Sequence, residues 1–172
     1  MKMSSQPGFT INTHRIDPYK NYKFRIIMDN VPVLGVSKVS ALKRTTEVIK
    51  HRSGGDNSHE HKTPGRTTYD AITLERGITH NLEFEQWANK VHPYDSDSMM
   101  ALVNFKKELI LEVMNEKGQV ALRYNLHRCW VSEFTAMPDL DANANTIAIE
   151  NIKIELEGWT RDTDTPEPKE DE

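Results

Sequence analysis

The sequence is short of cysteine, has no long apolar run and carries no excess of positive charge, and each shortage removes a class of function. A single cysteine, Cys129, in 172 residues permits no intrachain disulfide and does not point to an oxidising compartment, so this thiol is expected to be a small apolar filler. No stretch approaches the ~20 apolar residues that cross a bilayer, and neither end carries a basic segment followed by an apolar run. A soluble chain with no membrane anchor and no ordinary export signal is expected. The net charge is −4 and the basic residues are scattered, so the footprint of a phosphate-binding surface is missing and tight nucleic-acid binding is not expected. What is present is a length suited to one domain, able to bury roughly 68–70% of the surface its unfolded chain exposes without a covalent staple.

Residues 1–18 hold few apolar positions and no period, the composition of a flexible N-terminal arm. The folded domain is expected over 19–160, and 161–172, acidic and carrying Pro166 and Pro168, reads as a disordered tail. Tyr22, Phe24, Ile26 and Met28 alternate with Lys23, Arg25 and Asp29 as in a half-buried strand. Val31 to Gly35 returns briefly, and Pro32 argues for an edge there because proline cannot donate to the ladder. A longer strand is predicted from about Val39 to Arg52. It feeds an extended polar loop, 52–68, with no apolar residues to bury it, so a partner outside the monomer is expected to hold it.

Strand character resumes over Tyr69 to Arg76, and one short helix follows. Asn81 is its predicted N-cap, Glu83 and Glu85 suit the positive end of its dipole, and Phe84, Trp87, Ala88 and Val91 form a stripe that must dock on a sheet. In the second half Leu109, Leu111 and Val113 alternate with Glu108, Ile110, Glu112 and Met114. Asn115 to Gly118 is a hairpin turn, and the return strand puts Val120, Leu122, Tyr124 and Leu126 inward with Arg123, Asn125 and His127 outward. In the last strand Ile147 and Ile149 share one face while Ile152, Ile154 and Leu156 share the other, which predicts a bulge or burial on both sides. About seven strands and one helix make a mainly β fold, a β-barrel or sandwich.

No constellation of chemistry survives inspection. His51, His59 and His61 lie near Asp56, but the spacing matches no metal-ligand pattern and a polar loop rarely supplies the supporting shell. Gly54-Gly55 is followed by neither Gly-Lys-Ser nor Gly-Lys-Thr and opens no helix, so it reads as a tight turn. Cys129 and His127 alternate on a strand and share a face, yet Trp130 and the apolar alternation around them favour an inert, packed thiol. Asp139 with Asp141, and Glu155 with Glu157, have no apolar pocket to separate their pKa values. Trp87, Trp130 and Trp159 lack the basic interleaving of a stacking platform and read as core or interface anchors. No enzyme activity, metal or cofactor is expected.

The order and spacing of several phrases carry a resemblance. They are Phe24-Arg25-Ile26-Ile27-Met28, Gly54-Gly55-Asp56-Asn57, Pro64-Gly65-Arg66, Leu74-Glu75-Arg76-Gly77-Ile78-Thr79 leading into the Trp87 helix, Cys129-Trp130-Val131-Ser132-Glu133-Phe134, Leu140-Asp141-Ala142, Ile147 through Ile152, and Glu157-Gly158-Trp159. Over roughly Tyr22 to Trp159 the chain resembles the tail tube proteins of contractile phages and of related contractile injection systems and tailocins. The resemblance implies a β-barrel or sandwich protomer that closes with five others into a hexameric ring, the rings stacking into a hollow tube inside a contractile sheath. It implies as partners the chain itself, a sheath protein, baseplate and tube-terminating proteins, and DNA or protein cargo passing without tight binding. It also implies assembly in the bacterial cytoplasm and a final place in a virion tail or a released or cell-associated injection particle.

Physical reasoning then nominates surfaces. The strand Tyr22, Phe24, Ile26 and Met28 is the expected inter-subunit sheet edge, since neighbours in a ring can cover such margins. Arg52, Asp56, Lys62 and Arg66 on the polar loop are the expected inter-ring contacts, each rim pair contributing only ~0–1 kcal/mol, so that repetition around the circle must hold the stack. Phe84, Trp87 and Val91 are the expected helix-packing residues. Glu108, Glu112, Arg123, Asn125 and Glu155 are candidates for a polar lumen wall along which cargo slides. Three rivals stand beside this reading: a hexameric tube protein of a type VI secretion system, which lacks the Pro64-Gly65-Arg66 and Leu74-Glu75-Arg76-Gly77 phrasing, a small-ligand β-barrel, and a metal-dependent hydrolase built on the histidine loop.

Overall fold

The period-two segments fold as strands and the 3.6-period segment as a helix in a computed structural model that describes residues 20–21, 23–52, 60–92, 94, 104–143 and 145–168. Strand β1 (Phe24–Met28) turns at Asp29 and Asn30, both at positive φ, into β2 (Val31–Val33), and Leu34 and Gly35 lead on to β3 (Val36–Val39). Then come β4 (Arg44–His51), β5 (His61–Tyr69), β6 (Ile72–Gly77), helix α1 (Glu83–Val91), β7 (Lys107–Met114), β8 (Val120–Thr135), β9 (Ile149–Glu155) and β10 (Gly158–Arg161). Eight strands make one antiparallel sheet in the order β2-β1-β7-β8-β9-β6-β3 with β10 on β8, while β4 and β5 pair with each other.

The two ends of that path, β2 and β3, are consecutive in sequence and separated by two residues, so the sheet has to curl until its margins lie a turn apart. Gly35, at φ +81°, makes that turn at little steric cost. Curling explains why Ile26 and Met28 of β1 share one core with Ile72 and Leu74 of β6 and with Ile152 and Ile154 of β9. Among the described residues no ladder joins β2 to β3, so the curled sheet is not a hydrogen-bonded closed barrel. There are more strands than the seven expected because β2, β3 and β10 are only three or four residues long, too short to show a period. In addition, β5 occupies the last eight residues of the segment read as loop.

Strand β8 is the long member that carries the sheet from one half to the other. Its first part pairs with β7 and its last part with β9, and between them Lys107↔Cys129 and Leu109↔Leu126 differ by one residue of register. Arg128, at φ +54°, is the extra residue of this bulge. The insertion resets the alternation, so His127 points outward while Cys129 is fully buried, which corrects the expectation that both share a face. In β9 the core face is Glu150, Ile152, Ile154 and, just beyond, Leu156; Ile149 faces out and Ile147 precedes the strand. The predicted change of parity is therefore neither a bulge in β9 nor burial on two sides, but an apolar pair left uncovered.

The hairpin between β7 and β8 follows expectation, with Gly118 at φ +82° and Asn115 Oδ1 accepting from the Gln119 amide at 2.9 Å. Helix α1 packs on β8 through Phe84 and Trp87, both buried, and Trp87 Nε1 donates to the Phe105 carbonyl at 2.8 Å. Val91 is half-buried. The cap position falls on Leu82, one residue later than predicted, although Asn81 Oδ1 does accept from the Glu83 amide at 2.8 Å. At the other end of the chain Arg161 belongs to β10, and the Asp162 amide donates to the Arg123 carbonyl at 2.9 Å, so the fold extends into the segment read as tail. The expected arm over 1–18 lies outside the described residues.

Candidate assembly surfaces

The polar excursion is a β-ribbon. Ser40 donates from its amide to the Thr73 carbonyl and Asp70 to the Lys43 carbonyl, each at 3.0 Å, so β4–β5 continues the β3–β6 ladder beyond the body after a short interruption. Thr45, Thr46, Thr67 and Thr68 suit a pleated ladder that packs on nothing, and the Thr46 and Thr67 hydroxyls meet at 2.9 Å. Every residue of β4 is exposed, including Val48 at 59% and Ile49 at 53%, which lie on opposite faces because they are adjacent. Of the expected inter-ring residues, Lys62 and Arg66 stand exposed on β5 and Arg52 just past β4, while Asp56 lies outside the described residues. His51 and His61 face each other across the ribbon with ring centroids 5.4 Å apart, and His59 is likewise outside the described residues. Among the described residues no three His, Cys, Asp or Glu side chains gather around a common point.

A second surface is the outer face of β1, β7, β8 and β10, where register brings charges opposite one another. Arg25 faces Glu112, which faces Arg123. Glu112 accepts from Arg25 Nε at 2.5 Å on one oxygen and from Arg123 Nη2 at 2.6 Å and Nε at 2.9 Å on the other. The two guanidinium groups seal it to 0% exposure, so this carboxylate differs from the wetted wall group expected of it. Glu108 Oε2 and Thr160 Oγ1 hold the two nitrogens of His127 at 2.9 and 3.0 Å. Asn125 is half-buried on the same face, opposite Ile110 and Thr160. Glu155 belongs to the other half of the sheet, on β9, where Ser132 Oγ donates to it at 3.2 Å. The structure thus gathers Glu108, Glu112, Arg123 and Asn125 and leaves Glu155 apart.

The carboxylates that close this face are held by neighbours. The Asp164 amide and the Thr165 hydroxyl keep the Asp162 carboxyl below the usual carboxylate range. A hydrogen bond from Lys106 Nζ at 2.5 Å and the charge of Arg128 do the same for Glu157.

The expected edge, by contrast, is interior. Phe24, Ile26 and Met28 sit on β1, which is paired with β7 along its length and with β2 over Ile26 to Met28, while Tyr22 lies outside the described residues. Proline explains the exchange: Pro32 makes the short strand β2 the margin and β1 its covered neighbour. Past the β8 bulge, Trp130 to Thr135 pair with β9 alone among the described strands. An open groove of about 830 Å³ lies between Phe24, Leu42, Leu111, Leu122, Tyr124 and Trp159. Among the described residues, Met137, Leu140, Ile147 and Ile149 are exposed apolar residues in and beside the loop that joins β8 to β9.

Arg25, Arg76 and Glu150 were not singled out as sites from the sequence. Arg76, buried at the start of the connection to α1, donates from Nε to Glu150 Oε1 at 2.6 Å and from Nη2 to the Asn81 carbonyl at 3.0 Å, with its guanidinium 4.1 Å from the Phe84 ring centroid. Its Nη1 has no hydrogen-bond partner among the described residues. A charge on the core parity of a strand is the signal that could have found both members of the pair: Arg76 follows Ile72 and Leu74, and Glu150 precedes Ile152 and Ile154.

A family model described as the T4-like virus tail tube protein gp19 matches residues 20–160. No curated protein matches the chain. A chain of the cryo-EM structure of an extracellular contractile injection system, the PVC sheath/tube terminator in extended state, is 22% identical with a TM-score of 0.71, covering 85% of this chain and 97% of that one. A chain of the 6-fold symmetrised anti-feeding prophage baseplate is 20% identical with a TM-score of 0.69, covering 84% and 95% respectively. Hcp1 from Flavobacterium johnsoniae is 12% identical with a TM-score of 0.50, covering 81% and 94%. At these identities the likenesses concern the fold.

Proposed function

Because the chain belongs to the T4-like virus tail tube protein family, we propose that it is the subunit of the inner tube of a contractile tail or contractile injection system, closing into hexameric rings that stack into a hollow conduit. The observation that carries this reading is the β4–β5 ribbon, which projects from the body with Val48 and Ile49 exposed and β4 uncovered throughout. A two-stranded ribbon is marginal by itself in water, so its covering has to come from outside the protomer. Copies in the adjacent ring supply it, while neighbours within a ring extend the edge at Trp130 to Thr135 and the margins at β2 and β3 by further pairing, completing a barrel-like wall.

Arg52, Lys62 and Arg66, with Asp56, serve as inter-ring contacts, each weak and repeated around the circle. The face bearing Glu108, Glu112, Arg123 and Asn125, with Glu155 further along the sheet, lines the lumen. Because Glu112 is neutralised between two arginines, that wall is polar without a dense charge of one sign, which suits DNA or protein cargo that must slide rather than stick. A sheath protein outside, with baseplate and tube-terminating proteins at the ends, would complete the device. It assembles in the bacterial cytoplasm and ends in a virion tail or an injection particle, and the subunit itself has no catalytic role. The sequence phrasing around Pro64 and Leu74 favours the tail tube over the type VI tube with which the fold is shared.

Negative-stain microscopy of concentrated purified protein tests the proposal. Rings with six-fold averages, or hollow rods, are expected; a monodisperse monomer at every concentration refutes it.

A further inference from the structure

Register fixes where the ribbon points. Strand β6 runs from Ile72, beside the ribbon base, to Gly77, which pairs with Ile149, and the ribbon extends the same ladder backward from Ile72. The far end of its described part, at His51 and His61, and the start of β9 therefore lie toward opposite poles of the protomer. The loop 136–148 closes the second pole, since it leaves β8 at Thr135, opposite Asn151, and enters β9 at Ile149. At ~3.3 Å per residue the eight residues of β4 make a ribbon roughly 26 Å long, whose base, Arg44 with Tyr69, lies against Trp159 of the body.

The two poles are complementary in character. The ribbon offers Val48 and Ile49 together with the cations Arg52, Lys62 and Arg66, while Lys50 pairs with Glu60 at 3.4 Å and Arg44 lies over Trp159 at the base; Glu47 is the other described carboxylate. The loop offers Leu140 at 76% exposure and Ile147 at 82%, and its charges are Asp139 and Asp141, with no lysine or arginine between 136 and 148. Apolar groups this exposed on a folded protein mark a surface that is covered in use, and the surrounding charges select what covers it.

We propose that loop 136–148 of one copy is the seat for the β4–β5 ribbon of the next, a head-to-tail contact in which Leu140 and Ile147 pack against Val48 or Ile49 while Asp139 and Asp141 face the ribbon cations. The contact is heterologous, so it propagates from copy to copy and does not close a two-fold dimer. It rests on the tube-subunit reading and adds to it the identity of the receiving surface.

Paired cysteines test it in the full-length chain. Cys129 is a silent background because burial, then the charge of Glu108, pushes its thiol up to about 12. Chains carrying Val48→Cys with Leu140→Cys, or Val48→Cys with Ile147→Cys, are expected to oxidise into a ladder of covalent multimers in samples that form rods, because opposed Cα atoms in such a contact come within the ~4.4–6.8 Å a disulfide needs. Val48→Cys with Leu122→Cys, which probes the open groove, is expected to stay monomeric on a non-reducing gel. As an independent measure, Leu140→Asp with Ile147→Asp is expected to leave rings intact and abolish rods. Rods that form with both loop pairs reduced and survive the aspartate variant, or cross-linking through Leu122→Cys alone, overturn the loop as receiver and leave the tube reading standing. A wild-type chain that never self-associates overturns both.

Discussion

Arg76 anchors the connection between β6 and the helix, and its removal has a cost that can be worked from its surroundings. The guanidinium is 1% exposed, bonded to Glu150, which is itself 7% exposed, and to the Asn81 carbonyl, and it lies on the Phe84 ring. Deleting one partner of a buried ion pair strands the other charge out of water, a cost of about 3–5 kcal/mol. Against a typical stability of ~5–15 kcal/mol, that is a third or more of the total for many domains. Arg76→Met and Glu150→Leu are therefore each expected to lose about 3–5 kcal/mol. The double variant, with neither charge buried, is expected to lose far less than the sum, because both desolvation penalties vanish together. Urea unfolding of dilute, unassembled protein, followed by tryptophan fluorescence, measures all three; Trp87 lies in the same core as Phe84 and reports locally. Single losses below about 1 kcal/mol, or a double loss equal to the sum, would refute the view of this pair as a desolvated, mutually dependent anchor.

Three further outcomes are expected. Glu112→Gln leaves Arg25 and Arg123 facing each other with a neutral acceptor between them, and should cost about 1–3 kcal/mol in the same unfolding assay, with much of the loss recovered when Arg25→Gln is added. The Cys129 thiol is raised from 9.0 to about 12 by burial, so the unfolded chain gives up its proton first: stability from this group is whole below pH 9 and falls as pH rises toward 12, by at most ~1.4 kcal/mol per pH unit, a slope that Cys129→Ala should remove. Arg66→Glu reverses an exposed cation on the ribbon and should shorten tubes and lower their yield without changing the unfolding midpoint of the monomer; unchanged tube length and yield would remove Arg66 from the inter-ring contact.

Local pattern alone determined much of this protein. Alternation at two residues placed β1, β7, β8 and the core half of β9, Gly118 and Asn115 placed the hairpin, Pro32 placed a margin, and Phe84 and Trp87 placed the buried side of the helix, because each depends on neighbours within a few positions. The absence of apolar residues after Arg52 likewise foretold a segment that does not bury itself, although its threonines, each free to stand on either side of a ladder, hid that its second part is a strand, β5, pairing back on the expected strand β4. Tertiary structure decided the remainder, and the reason is register. One extra residue at Arg128 turns Cys129 into the core and His127 out of it, and nothing local to Leu126 or Trp130 announces the change. Arg25, Glu112 and Arg123 become one sealed cluster only when three strands far apart in the chain align, and Arg76 meets Glu150 in the same way. Which strand is covered and which lies open follows from the order of pairing across the whole sheet, a property that no single stretch of sequence holds.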